Sequence, residues 1–300
     1  MNENFRERLA GLEAHLRSRL RGQEHVLPAA AAAFHRGELG LAATDRPKSS
    51  FLLVGPTGTG KTELMLCCGE YLFGAGQVCR FDLSDYARAD AVELFLGSNA
   101  HDCGAFGRAM HGRVRGILLF DELEKAHARL WDLFLQLLDP GHVTVATGER
   151  ISTAGFYIAF SSNIGGAESM RMEHSRFASV EQTVLRLVNQ TLRPEFVGRI
   201  EEKWVFRRLA PEVQREICAL RVADETARLR GLGYDLTVSR EALEFLVREG
   251  FHPHLGARPL RQAVEKHVRD AVVRELFGRG ICQGTIIVGE SGRRLEVRTQ

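Results

Sequence analysis

Gly55-Pro56-Thr57-Gly58-Thr59-Gly60-Lys61-Thr62 follows the apolar run Phe51-Leu52-Leu53-Val54 and leads into a segment of helical character that begins at Glu63. This order constrains the chain more than any other feature. Closely spaced glycines let a loop turn so tightly that its backbone N–H groups converge on an anion, and the following helix adds the positive end of its dipole. Strand, G-x-x-x-x-G-K-T loop and helix together predict a phosphate cradle from Gly55 to Glu63. In such a cradle Lys61 reaches the β- and γ-phosphates of a nucleotide and the Thr62 hydroxyl reaches Mg²⁺.

The remaining runs set that cradle in an α/β domain. Ile117-Leu118-Leu119-Phe120 and Phe156 to Phe160 are continuous apolar runs of strand length, as expected for strands buried on both faces of a parallel sheet. Val78 to Phe81 and Trp204-Val205-Phe206 are shorter candidates. Helices are expected at Val26 to Leu39, Glu63 to Phe73, Ala87 to Leu96 and His127 to Leu138, and Phe5, Leu9, Leu12, Leu16 and Leu20 make the stripe of an amphipathic helix. Strands alternating with helices predict a doubly wound domain over residues 22–208, behind a helical leader of residues 1–21. Residues 209–300 change character, with helices at Pro211 to Leu229, Arg240 to Arg248 and along Leu260 to Leu276. Thr285 to Val288 and Leu295 to Val297 are expected to pair as a small sheet.

Composition sets outer limits. A 300-residue chain with 44% hydrophobic residues can bury a full core, and a net charge of +2 does not imply a nucleic-acid partner. No apolar run is long enough to span a bilayer, and the segment from Met1 to Leu20 lacks the core of a signal peptide, so a cytoplasmic protein is expected. Cys67, Cys68, Cys79, Cys103, Cys218 and Cys282 form no C-x-x-C pair and read as scattered free thiols. His252 and His254, flanking Pro253, read as surface or packing residues, since two histidines without a third ligand make no metal site. The basic run Arg108, His111, Arg113 and Arg115 reads as a solvated helix face before a nucleic-acid patch.

Acids at the carboxyl end of a strand beside the cradle fall where open α/β sheets bind ligands. Asp121 is therefore the candidate for the Mg²⁺ side, and Glu122 for polarising a water that attacks the γ-phosphate. Asn163 ends the next strand, where its amide is placed to orient that water.

These residues carry a resemblance. GPTGTGKTEL at 55–64, FDLSDY at 81–86, ILLFDELEKAH at 117–127, FLQLLDPG at 134–141, SSNIGG at 161–166, LRPEFVGRI at 192–200 and GARPLRQAV at 256–264 occur in one order. From Gly22 almost to its end, the chain resembles the second ATPase module of Clp-type AAA+ chaperones, the class that includes the ClpB disaggregase and the ClpV secretion ATPase. The resemblance implies a five-stranded AAA+ P-loop sheet, a helical lid with a small β appendage, ATP and Mg²⁺ as cofactors, and a homo-oligomeric ring, usually a hexamer. It assigns Lys61 and Thr62 to the phosphates, Asp121 and Glu122 to Mg²⁺ and hydrolysis, and Asn163 to the first sensor. Arg199 matches the arginine finger that reaches a neighbouring subunit, and Arg258 the second sensor on the lid. The client or adaptor is not specified.

Departures from the pattern bear on mechanism. The sequence shows one module with a short leader, and no evident peptidase-docking tripeptide between Asn163 and Leu192. Threading relatives carry a Gly-Tyr-Val-Gly grip in the central pore. Here the corresponding segment is Gly97-Ser98-Asn99-Ala100-His101-Asp102-Cys103-Gly104-Ala105-Phe106-Gly107, without tyrosine. Phe106 either substitutes for the grip or packs in the core beneath a helix over residues 106–113, and the frequent burial of phenylalanine favours packing. Two functions stay open: an ATP-driven protein-remodelling machine, and a nucleotide-dependent assembly switch or nucleoprotein loader that threads nothing.

Overall fold

The strands ending at Val54, Asp121 and Ser162 lie in one sheet of a computed structural model, which describes residues 3–40, 45–252, 255–279 and 283–298. Met1, Pro253, His254 and Cys282, named above, lie outside the described residues. The chain forms two compact units. The first comprises the residues up to Pro56 and Gly60–Arg207, and the second comprises Thr57–Thr59 and Arg208 onward.

In chain order the strands are β1 (Ser49–Val54), β2 (Val78–Asp82), β3 (Gly116–Asp121), β4 (His142–Thr144), β5 (Arg150–Ser152), β6 (Phe156–Ser162), β7 (Glu202–Val205), β8 (Asp235–Val238), β9 (Gln283–Val288) and β10 (Leu295–Arg298). The first unit is built on a five-stranded sheet in the order β2-β3-β6-β1-β7, with every pairing parallel. Every residue of β1, β3 and β6 is buried, which explains why these three read as unbroken apolar runs and not as alternating ones.

Successive side chains supply opposite faces. Leu52, Val54, Leu118, Phe120, Ile158 and Phe160 enter one core cluster, with the helices Ala91–Leu96, Gly104–Met110, Trp131–Leu138, Phe177–Thr191 and Pro194–Arg199. Phe51, Leu53, Ile117, Leu119, Tyr157 and Ala159 enter the other, with the helices Glu3–Ala10, Leu12–Arg19, Leu27–Glu38 and Lys61–Phe73. The leader stripe is thus part of the core. Phe5, Leu9, Leu12, Leu16 and Leu20 are all buried, the first four on two helices and not one and Leu20 just past the end of the second, with the break at Gly11, where a Cβ would come within 2.8 Å of the Tyr71 hydroxyl. Gln23 fastens the following turn, donating from Nε2 to the Arg207 carbonyl and accepting from the Arg207 N–H, both at 2.9 Å.

The second unit packs the helices Pro211–Arg230, Arg240–Gly250 and Leu260–Arg279 against a three-stranded sheet, β10-β9-β8. The expected pair is antiparallel as β9 and β10, but β8 adds a parallel strand on the other side of β9. Other departures from expectation are local. A 3-10 turn at Leu83–Tyr86 precedes a helix that starts only at Ala91, and another at Ala128–Leu130 precedes the Trp131–Leu138 helix. The hairpin of β4 and β5 and the helices Gly166–Arg171 and Phe177–Thr191 have no counterpart in the sequence reading. Nor is the basic run a solvated helix face: its helix ends at Met110, Arg108 pairs with Asp102, Arg113 donates to the Gly76 carbonyl, and the Arg115 guanidinium lies over the rings of Phe5 and Phe73.

Phe106 is fully buried, with its ring 5.2 Å from that of Phe95 and 6.1 Å from that of Phe81, centroid to centroid. Phe106→Ala removes a large ring from a closed cluster and is expected to cost about 3–5 kcal/mol of stability, read from urea denaturation. A loss below about 1 kcal/mol would contradict the packing role. No helix among the described residues is long and apolar enough to cross a membrane.

Candidate nucleotide site

Three strands deliver their ends to one place: β1 ends at Val54, β3 at Asp121 and β6 at Ser162, neighbours in the sheet order. The chain enters its glycine loop at the end of β1. Gly55 has φ +137°, and a Cβ there would come within 2.6 Å of the Phe206 carbonyl oxygen, so only glycine fits. Gly60, with φ +103°, makes the left-handed step that starts the Lys61–Phe73 helix. Between them, Pro56 and Thr59 are buried while Thr57 and Gly58 are half-buried. Glu63 stands in the helix's first turn, where a carboxylate suits the dipole.

Lys61 is buried, and its ammonium donates to the carbonyls of Gly55 at 2.7 Å and Pro56 at 2.8 Å and to Asn163 Oδ1 at 3.1 Å. An ammonium so placed can exchange these acceptors for the oxygens of an arriving anion. Asp121 gathers donors from three elements. Its Oδ1 accepts from Thr62 Oγ1 at 2.9 Å and Ser161 Oγ at 2.6 Å, while its Oδ2 accepts from Arg80 Nε at 2.5 Å. The structure thereby bonds Lys61 to Asn163 and Thr62 to Asp121, from successive residues in the first turn of one helix.

Glu122 leaves the strand in the left-handed region, φ 59° and ψ 52°, the one non-glycine residue with positive φ among the described residues. Such a conformation costs a non-glycine residue on the order of 1–2 kcal/mol. It turns the chain immediately after Asp121, and the Glu122 N–H donates to Ser161 Oγ at 3.3 Å. The 3-10 turn Leu123–Lys125 then sets Glu124 against the end of β6. Glu124 accepts from Ser162 Oγ at 2.7 Å, Asn163 Nδ2 at 2.9 Å and the Asn163 N–H at 3.3 Å.

Arg80, Ser161 and Glu124 were not singled out from the sequence. Ser161 and Glu124 stand inside the matched strings SSNIGG and ILLFDELEKAH, where attention to the residues beside Asn163 and Glu122 would have found them. Among the described residues, no hydrogen bond or ion pair joins the Arg199 side chain to Lys61, Thr62, Asp121 or Asn163. Arg199 ends the Pro194–Arg199 helix with an exposed side chain, and Arg258 belongs to the second unit, exposed and two residues ahead of the Leu260–Arg279 helix rather than on it.

The donor set fits the cofactors expected here. Mg²⁺ takes oxygen ligands and retains several waters, and a hydroxyl 2.9 Å from a buried carboxylate at the mouth of a glycine loop offers that chemistry. The thiols are not part of it. Burial pushes the Cys68 and Cys79 thiols above their ordinary range and Cys218 up to about 12, which keeps them protonated and inert.

A parallel sheet with a glycine cradle and acids at its carboxyl edge defines a P-loop nucleotide-binding protein. The chain belongs to the AAA domain family (Cdc48 subfamily), whose pattern matches residues 46–203, and residues 209–288 match the C-terminal, D2-small domain of ClpB protein. Chaperone protein ClpB 2 of Synechocystis sp. is 33% identical over 98% of this chain and 35% of its own length. The ClpA homolog of Porphyra purpurea, an ATP-dependent Clp protease ATP-binding subunit, is 34% identical over 93% of this chain and 36% of its own length. The S. cerevisiae Hsp104-ADP complex superposes with a TM-score of 0.88 at 26% identity, covering 99% of this chain and 54% of the other. Closed-state Hsp104 with ATPγS and FITC casein gives 0.85 at 28% identity, covering 99% and 52%. The chain spans about a third of the length of the curated relatives it matches. As a member of the AAA+ ATPases it has a nucleotide-binding fold.

Proposed function

We propose that the chain is an ATP-hydrolysing remodelling ATPase of the Clp type, working as a ring of identical subunits, a hexamer by family analogy, on a protein client. The observation that carries this reading is the two bonded pairs Lys61–Asn163 and Thr62–Asp121 at the carboxyl ends of three adjacent strands. Lys61 exchanges its carbonyl partners for the β- and γ-phosphates, while the loop from Gly55 to Glu63 encloses them. Thr62 and Asp121 would hold Mg²⁺, which would draw charge from the phosphate oxygens. Glu122 accepts the proton of the attacking water, and Asn163, fixed by Glu124, orients that water by its amide. Arg199, exposed at its helix end, serves the neighbouring subunit's γ-phosphate. Arg258 is the second-sensor residue of the lid by the same analogy. Hsp104 solved with ATPγS and FITC casein lends the reading its nucleotide and its polypeptide client. Phosphate release from Mg²⁺-ATP, with a nucleotide-dependent shift to a ring-sized species in sedimentation, is the supporting result. Its absence from a folded, concentrated sample removes the reading.

One observation favours a second reading, an assembly switch or nucleoprotein loader that threads nothing. The segment from Gly97 to Gly104 closes on itself and presents no aromatic grip. The Asp102 carboxylate accepts from the N–H groups of Ser98 at 3.3 Å and Gly104 at 3.0 Å and from Arg108 at 3.1 Å, and the Gly104 N–H foremost holds its pKa below the usual range. Asn99 Oδ1 accepts from the His101 N–H at 2.9 Å. With Phe106 buried, a sliding polypeptide meets only small and polar groups on this loop, whereas gripping any sequence needs a large apolar face. The chain with ATP is therefore expected to leave a stably folded, tagged client intact. Unfolding of that client would return the threading mechanism, and ATP turnover raised by DNA would select the loader.

A further inference from the structure

We propose that Arg80 competes with Mg²⁺ for the Asp121 carboxylate, so that metal loading of the nucleotide site requires its guanidinium to give way. This rests on the nucleotide-site reading above. β2 lies beside β3 in parallel register, with Arg80 opposite Leu119 and Asp82 opposite Asp121. From that position Arg80 Nε reaches Asp121 Oδ2 at 2.5 Å. The two ends of this ion pair differ in environment: the Asp121 side chain is 3% exposed and that of Arg80 is 46% exposed. The carboxylate is fixed in the fold, while the guanidinium already has access to water.

The three donors on Asp121 are not equivalent towards a cation. Thr62 and Ser161 are neutral hydroxyls bonded to Oδ1, and a hydroxyl oxygen has lone pairs to offer a metal. A guanidinium has no lone pair and carries the same sign of charge as the metal. It therefore opposes Mg²⁺ in two ways, by occupying Oδ2 and by repulsion across a few ångströms of partly dehydrated protein. Removal of the charge lessens both. Orientation of Asp121 survives the change, because the two hydroxyls still hold Oδ1. The affinity of the site for Mg²⁺ is thus set by a competitor on the neighbouring strand as well as by its ligands.

The test uses Arg80→Gln, which keeps polarity and much of the length without charge, and Arg80→Lys, which keeps the charge. A fluorescent ADP analogue is bound in excess EDTA and then in a Mg²⁺ titration. In Arg80→Gln the Mg²⁺ concentration at half-maximal enhancement should fall by roughly tenfold, while affinity in EDTA stays within about twofold. Arg80→Lys should stay near wild type. An unmoved or raised midpoint in Arg80→Gln overturns the proposal while leaving the nucleotide site in place. Wild type that binds no analogue in either condition overturns the site and the proposal together. Urea denaturation without nucleotide probes the ion pair separately: Arg80→Gln should destabilise the protein, and much less so in an Asp121→Asn background. Strictly additive losses would overturn the pairing itself.

Discussion

Lys61→Ala is expected to weaken ATP and ADP binding by about 10²-fold or more. The ammonium of Lys61 is buried, held by the Gly55 and Pro56 carbonyls and by Asn163 Oδ1. A methyl group leaves the phosphate charge to backbone N–H groups and the helix dipole alone. Each lost charge-assisted hydrogen bond is worth roughly 1.5–3 kcal/mol, and two of them account for the loss. The fold should persist, because alanine is a good residue for the first turn of the Lys61–Phe73 helix. Calorimetric titration beside a thermal melt reads both effects. Affinity within about threefold of wild type would contradict the role of Lys61.

Arg199→Ala is expected to bind nucleotide as wild type does and to hydrolyse it on the order of 10³-fold more slowly. The reason lies in where the residue stands. Its helix, Pro194–Arg199, is anchored by Phe196 and Val197 in the core, and its backbone carbonyl accepts from Ser50 Oγ at 3.1 Å, yet its side chain is exposed. A fixed helix end carrying a free-reaching guanidinium suits a neighbour's γ-phosphate, where charge develops only in the transition state. Binding and turnover should therefore separate. Mixing Arg199→Ala with Lys61→Ala should restore part of the activity, since some interfaces then combine an intact cradle with an intact finger. Confirmed mixed rings that hydrolyse nothing would contradict the assignment in trans.

The sequence was most informative where local chemistry leaves little choice. β1, β3 and β6 were legible because strands buried on both faces carry continuous apolar runs and not alternating ones, and the loop was legible because glycine spacing and Lys61 specify an anion cradle. Residues Lys61, Thr62, Asp121 and Asn163, nominated from three separate strings, meet in two bonded pairs. What escaped was pairing set by register across the sheet. Arg80 stands between Cys79 and Phe81 with nothing local to mark it, and the parallel alignment of β2 with β3 brings it to Asp121. Glu124 escaped because its partners, Ser162 and Asn163, stand 38 and 39 residues away. β8 has four residues and pairs with β9, whose first residue follows 45 positions after its own last, Val238, too distant for a local pattern. The β4 and β5 hairpin failed for the opposite reason: three residues a side give no periodicity to read.

Glu122→Gln puts the central claim, hydrolysis by an acid at the end of β3, to its most direct test. Glutamine keeps the size of the side chain and can keep the left-handed backbone at this position, but its amide accepts no proton from water. ATP affinity and phosphate release in a single turnover are measured on the same preparation. The account predicts affinity within a few-fold of wild type and release slowed by about 10²–10⁴-fold, whereas release at the wild-type rate would contradict it.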